Sequence, residues 1–185
     1  MAIGTLKHAK AKRLKDDFYP TPAGALVPIL DQIAKHRAVF DPSAGDGALL
    51  DVAARIGCKT HGIELDLARR NLTEAKGHAC AWGDALHMSW PQTGMILMNP
   101  PWSHKEAFIR KALAHLDGGL ASQVAVIMRC TYLEPVASRV GLDKSPNVIH
   151  IGRPAYIPGN KSGDALHSVW LLWPGEARIS WQKTY

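Results

Sequence analysis

Between residues 38 and 129, five short apolar runs alternate with stretches of helical periodicity, and this alternation restricts the fold more than any other feature of the chain. The runs lie at 38–41, 61–65, 78–82, 95–99 and 124–129, with helical stretches at 48–56, 67–76 and 104–116. Strands separated by helices pair in parallel, because each crossover returns the chain to the same end of the sheet. Two further strand-like runs, 148–157 and 165–173, flank the polar, glycine-containing loop 158–164 and predict a terminal antiparallel pair. The expected fold is α/β: a doubly wound sheet of seven strands, mostly parallel, with helices on both faces. A helix over 21–37, capped by Thr21 with Pro22 in its first turn, is expected to precede it, and a short helix is expected near 133–140. Trp170, Trp173 and Trp181 are expected in core or terminal packing. In sheets of this kind, ligands bind beyond the carboxyl ends of the strands, where the strand order reverses.

The length of 185 residues predicts one domain, here 16–185, preceded by a basic arm at 1–15. The arm holds Lys7, Lys10, Lys12, Arg13 and Lys15 and no acid, so most of the net charge of +6 sits there and the body is nearly neutral. Such an arm suits contact with phosphates, although a solvated tail has the same composition. No apolar run approaches the roughly 18 residues of a membrane helix, and no apolar segment follows the basic N-terminus as in a secretory signal. Three widely spaced cysteines point to a reducing, cytoplasmic setting, and the histidines lack metal-ligand spacing, so no metal is expected.

Polar residues cluster where successive strands end. Asp41-Pro42-Ser43-Ala44-Gly45-Asp46-Gly47 follows the first strand, and its glycines allow a tight turn and close approach of backbone to a ligand. Leu50 stands where a dinucleotide fingerprint would need its third glycine, which argues against a nicotinamide dehydrogenase. Glu64, followed by Leu65, ends the second strand, where a carboxylate can accept from both hydroxyls of a ribose. Asp84, followed by Ala85, comes after the third strand and can accept from an exocyclic amine. The fourth run breaks into Asn99-Pro100-Pro101-Trp102, an amide, two rigid prolines and an indole.

A glycine loop followed by acids after consecutive strands resembles the Rossmann-like class I S-adenosylmethionine-dependent methyltransferases. The resemblance implies S-adenosyl-L-methionine as cofactor, with Asp41 facing its amino group, Glu64 holding its ribose and Asp84 reading its adenine. It extends cofactor contact to Pro42, Ala44, Gly45 and Gly47 in the loop, and to Leu65 and Ala85. Asn99-Pro100-Pro101-Trp102 is similar to the catalytic tetrapeptide of the amino-methylating branch, with Asn99 also near the cofactor. Asp17-Phe18-Tyr19-Pro20-Thr21-Pro22 resembles a segment of adenine-N6 DNA methyltransferases that closes over the cofactor, which implicates Tyr19, Thr21 and Pro22. The end of the chain, with His167-Ser168-Val169-Trp170, looks like that of phage-type members.

An aromatic amine is a poor nucleophile because its lone pair is delocalised. The Asn99 side-chain oxygen and the Pro100 carbonyl can each accept one of its N–H groups, aiming the lone pair at the methyl group. Trp102 can stack against an extruded base. Lys105 and the neighbouring His104, Arg110 and Lys111, together with Arg153, Tyr156 and Lys161, either touch nucleic acid or form solvated faces. No segment has the size of a separate target-recognition domain, so specificity would come from the arm, the 158–164 loop or a second subunit in a homodimer. The expected activity is adenine-N6 methylation of DNA. RNA bases, cytosine N4, a protein glutamine amide and a non-catalytic nucleic-acid-binding module remain alternatives.

Overall fold

The computed structural model describes residues 18–133, 144, 146–156, 167–176 and 178–181. The basic arm, Asp17, the helix expected near 133–140 and the loop bearing Lys161 lie outside the described residues. In chain order the elements are a 3-10 helix (Ala23–Ile29), α1 (Leu30–Ile33), β1 (Ala38–Asp41), α2 (Ala48–Arg55), β2 (Lys59–Glu64), α3 (Leu67–Ala75) and β3 (Ala79–Trp82). There follow β4 (Met95–Met98), α4 (Lys105–Asp117), β5 (Gln123–Arg129), a 3-10 turn (Cys130–Leu133), β6 (Asn147–Gly152), β7 (Ser168–Trp173) and β8 (Ile179–Trp181).

The strands form one sheet in the order β3-β2-β1-β4-β5-β7-β6-β8. β1 to β5 run parallel, while β7 lies antiparallel between β5 and β6. The sheet thus has the expected α/β architecture and antiparallel pair, but eight strands rather than seven. The eighth, Ile179-Ser180-Trp181, pairs parallel with β6. It is too short to carry a hydrophobic period, and Ile179 is exposed.

The central strands are apolar throughout because both faces are covered. Along β5, Ala125 and Ile127 enter a core with α2 and the first 3-10 helix, while Val124, Val126 and Met128 enter the opposite core with α4. Trp170 is fully buried and its indole N–H donates to the Ala25 carbonyl at 2.7 Å; Trp173 is also fully buried. The expected single helix over 21–37 is instead the 3-10 helix and α1, with Pro28 inside the former. Thr21 does not cap it: Pro22 takes the cap position with no side-chain bond.

Candidate functional site

The strand order reverses between β1 and β4, which leave from the middle of the sheet in opposite directions. A cavity of ≈ 560 Å³ opens there, within the range of small-molecule sites. Its floor is the loop after β1. Asp41 is almost wholly buried, and its Oδ1 accepts from the Ser43 N–H at 2.9 Å and the Ser43 hydroxyl at 3.2 Å. Burial nevertheless pushes the carboxyl up to about 7, with the Glu64 charge adding to it and the Ser43 bonds opposing it. The loop is held against β2 by Ala44 N–H to the Ile63 carbonyl at 3.0 Å and Gly45 N–H to Glu64 Oε2 at 2.8 Å. Gly45 sits at φ 58, and a Cβ there would lie 2.7 Å from the Phe18 ring, so glycine is required on both counts.

Glu64 closes one wall. Besides the Gly45 bond, its Oε1 accepts from Asp66 N–H at 2.9 Å and from Arg69 Nε at 3.1 Å, with Arg69 Nη2 at 3.0 Å. The Arg69 guanidinium lies 4.8 Å from the Phe18 ring centroid, so arginine, carboxylate and phenyl form one layer at the cavity edge. Asp84 lies on the next wall. Its carboxyl is held below the usual range chiefly by the Leu86 N–H at 2.9 Å, helped by His87 at 2.8 Å. The loop carrying Asp84 is tied to α4 by Lys111, whose ammonium donates to the carbonyls of Ala85, Leu86 and Met88. Lys111, one of the cations weighed above for phosphate contact, is thus an internal strut.

Asn99 follows β4 on the same cavity. Its Nδ2 donates to the Tyr19 carbonyl and to Thr21 Oγ1, both at 3.0 Å. A backbone carbonyl can only accept, so the atom facing Tyr19 must be the NH2 group and the amide's orientation is determined. Both N–H groups are engaged with the chain, and Oδ1 is the group left to meet a donor. Tyr19 and Thr21, which the resemblance implicates in cofactor contact, therefore also hold Asn99 directly, from 80 and 78 residues away in the chain.

Of the residues assigned to the cofactor, Pro22 and Gly47 stand off the cavity lining and the others line it. Gly47 instead begins α2 at φ 85, packed against Thr73 and His78. Pro101 lines the cavity, while Pro100, next to it in the chain, is buried and not part of the lining. Trp102 stands beside the cavity, half-buried, with its ring 5.9 Å from that of Tyr19 at 37° and the Arg129 guanidinium 3.7 Å over its centroid. One indole face is thereby covered by arginine. Lys105 turns its ammonium back to the Trp102 carbonyl at 3.3 Å. Arg153 lies exposed just beyond β6, away from the cavity. Ser43, Arg69 and Arg129 are site residues that sequence reading missed. Arg69 had a signal, since a helix N-terminus after a strand-end acid brings its first turn near that acid. Arg129 had none before β5 was known to neighbour β4.

Among the described residues no group of three or more His, Cys, Asp or Glu is arranged to hold a metal ion, and no helix is long and apolar enough to cross a membrane. No protein-family model matches the chain, and no curated protein matches it in sequence. Solved structures do share its fold. A Pyrococcus horikoshii protein provisionally named an RNA methyltransferase superposes with TM-score 0.64 at 20% identity, covering 88% of this chain and 89% of that one. A dimethyladenosine transferase from Plasmodium falciparum gives TM-score 0.55 at 16% identity over 79% of this chain and 60% of its own. A TehB-like S-adenosylmethionine-dependent methyltransferase from Corynebacterium glutamicum gives 0.51 at 15% identity, covering 81% and 85%. At these identities the likeness is one of fold, and the fold is Rossmann-like and of the methyltransferase kind.

Proposed function

We propose that this chain is an S-adenosylmethionine-dependent methyltransferase acting on an exocyclic amine, with adenine N6 in DNA as the acceptor. The observation that carries the proposal is the orientation of Asn99: its amide is bound through both N–H groups to the Tyr19–Thr21 segment, with Oδ1 left as acceptor beside an acidic cavity. The cavity suits the cofactor in charge as well as size. Asp41, Asp46, Glu64 and Asp84 line it against Arg69 and His104, a balance that favours a cationic ligand. When bound, the cofactor supplies a methyl group on a positively charged sulfur that leaves as a neutral thioether.

The chain's own part is binding and aim. Asp41, buried at the floor, attracts an ammonium group; the 83–86 loop, braced by Lys111, offers the Asp84 carboxylate and backbone to an adenine edge. Asn99 Oδ1 and the Pro100 carbonyl each accept an N–H of the acceptor amine, which turns its lone pair away from the ring. The prolines restrict the backbone that carries this carbonyl. Trp102, backed by Arg129, offers a fixed surface for the base. No side chain need remove the proton before attack, since it leaves the methylated amine afterwards.

DNA is favoured by the resemblance of the sequence Asp17–Pro22 to a segment of adenine-N6 DNA enzymes. RNA is the second reading, supported by the name of the Pyrococcus structure. The deciding experiment is methyl transfer to double-stranded DNA, single-stranded DNA and RNA in parallel, with nucleosides identified by mass. N6-methyladenine in DNA is expected, falling roughly 10²-fold or more in Asn99→Ala while cofactor binding persists. Product in RNA alone would move the acceptor, and undiminished turnover by Asn99→Ala would overturn the site.

A further inference from the structure

Among the described residues, the charges at the carboxyl edge of the sheet divide at Asn99. On the β1–β2–β3 side, the strand ends and the loops after them carry Asp41, Asp46, Glu64, Asp66 and Asp84. On the other side, the described residues of β5, β6 and β7 and their flanks, 123–133, 146–156 and 167–173, contain no acid. The same edge there carries Arg129 at the end of β5, His167 just before β7 and Arg153 just after β6. Register makes them neighbours: Arg129 is opposite Ser168, and Ser168 is opposite Gly152. Lys105, at Trp102, joins them from the start of α4.

We propose that this rim is the track of a single nucleic-acid strand, running from Trp102 and Arg129 across β7 to Arg153. This rests on the methyltransferase reading and names the path by which its acceptor arrives. The row spans two inter-strand spacings, about 10 Å, which fits one phosphodiester backbone rather than the width of a duplex. Its inner end is an indole stacked on a guanidinium, the aromatic-plus-cation surface that holds unpaired bases irrespective of sequence. A flipped or unpaired nucleotide would stack at Trp102, and the phosphates beside it would follow the cations.

The test measures binding of the full chain to a short end-labelled single-stranded adenine-containing DNA, the same sequence as RNA, and the duplex, over a salt series. Arg153→Gln, which alters an exposed residue outside the cavity, should lower the slope of log affinity against log salt by about 0.7 on single strands and weaken binding several-fold. Arg129→Met should lower the slope likewise and also change the tryptophan fluorescence response to the strand, a change absent in the Trp102→Phe background. Calorimetric affinity of Arg153→Gln for S-adenosylmethionine should match the parent. An unchanged salt slope in both variants overturns the track, as does a duplex that binds as tightly as the single strand with the same loss. If the parent fails to bind S-adenosylmethionine while the slope still falls, the track stands and the methyltransferase reading fails.

Discussion

Thr21→Val isolates the orientation of Asn99 from the rest of the site. Valine matches threonine in shape and removes only the hydroxyl, so one of the two Asn99 N–H groups loses its partner at 3.0 Å while the Tyr19 carbonyl remains. Leaving a buried N–H unsatisfied costs about 1–3 kcal/mol, and Asn99 is only half-buried beside an open cavity, so the lower end applies. In a domain of this size 1 kcal/mol lowers Tm by about 2–4 °C. The larger consequence is for turnover. With one restraint gone the amide can rotate, and Oδ1 no longer meets the acceptor's N–H in a single geometry. Losing 1–2 kcal/mol of transition-state stabilisation slows turnover by about 5–30-fold. The assay is single-turnover methyl transfer at saturating cofactor, with Thr21→Ser as the control that restores the hydroxyl. A Thr21→Val enzyme with parental kcat refutes the reasoning. So does one whose only defect is cofactor affinity, because Thr21 would then serve the cofactor rather than Asn99.

Two further outcomes follow from the acids of the cavity. Asp41 has its carboxyl raised from 3.8 to about 7 by burial, so its contribution to stability is complete below about pH 4 and is lost as pH rises through about 7. A cationic ligand reverses that preference, and binding S-adenosylmethionine near pH 6 should release most of one proton, falling toward none near pH 8. Calorimetry in two buffers of different ionisation heat measures this; identical heats near pH 6 would exclude Asp41 as the cation's partner. Arg69→Gln should tighten binding of the same ligand several-fold, because the Arg69 nitrogens at 3.0–3.1 Å occupy Glu64 Oε1 where ribose hydroxyls would bind. Weakened binding would mean that the guanidinium itself holds the ligand.

The parts of the fold that could be read from sequence are those where one short run is buried on both faces. Met95–Met98 and most of β5 are continuous apolar stretches because helices cover both sides, and their ends coincide with the polar breaks at Asn99 and Arg129. β8 could not be read, since its three residues depend on β6 for their pairing rather than on a pattern of their own. The same distinction governs the site. The acids after β1, β2 and β3 were legible because each is local to a strand end. The tie from Thr21 to Asn99 spans 78 residues, and threonine before a proline-led helical stretch looks like a cap when only neighbours are considered. Lys111 and Arg129 were misjudged or missed for the same reason. Each meets its partners only after the sheet has assembled, Lys111 beneath the Asp84 loop and Arg129 over Trp102.

The charge division among the described residues of the sheet edge accounts, on the proposed reading, for the reacting amide standing at the switch point. On the proposed reading the two substrates carry opposite charge, a cationic methyl donor and a polyanionic acceptor. Strands fanning both ways from β1 and β4 provide two loop sets, one acid-rich and one without an acid among its described residues 123–133, 146–156 and 167–173. On that reading each substrate would be attracted to its own half and repelled from the other, which would keep a nucleic-acid strand out of the cofactor cavity and the cofactor off the basic rim. Asn99 lies where the halves meet, held by Tyr19 and Thr21 from the segment that borders both. Tyr19 takes part in both roles: its carbonyl fixes the amide and its ring approaches Trp102 at 5.9 Å. Movement of this one segment would therefore disturb the aim of the amide and the seat of the base together. On the proposed reading, that coupling makes orientation, rather than acid–base chemistry, the property on which turnover would depend.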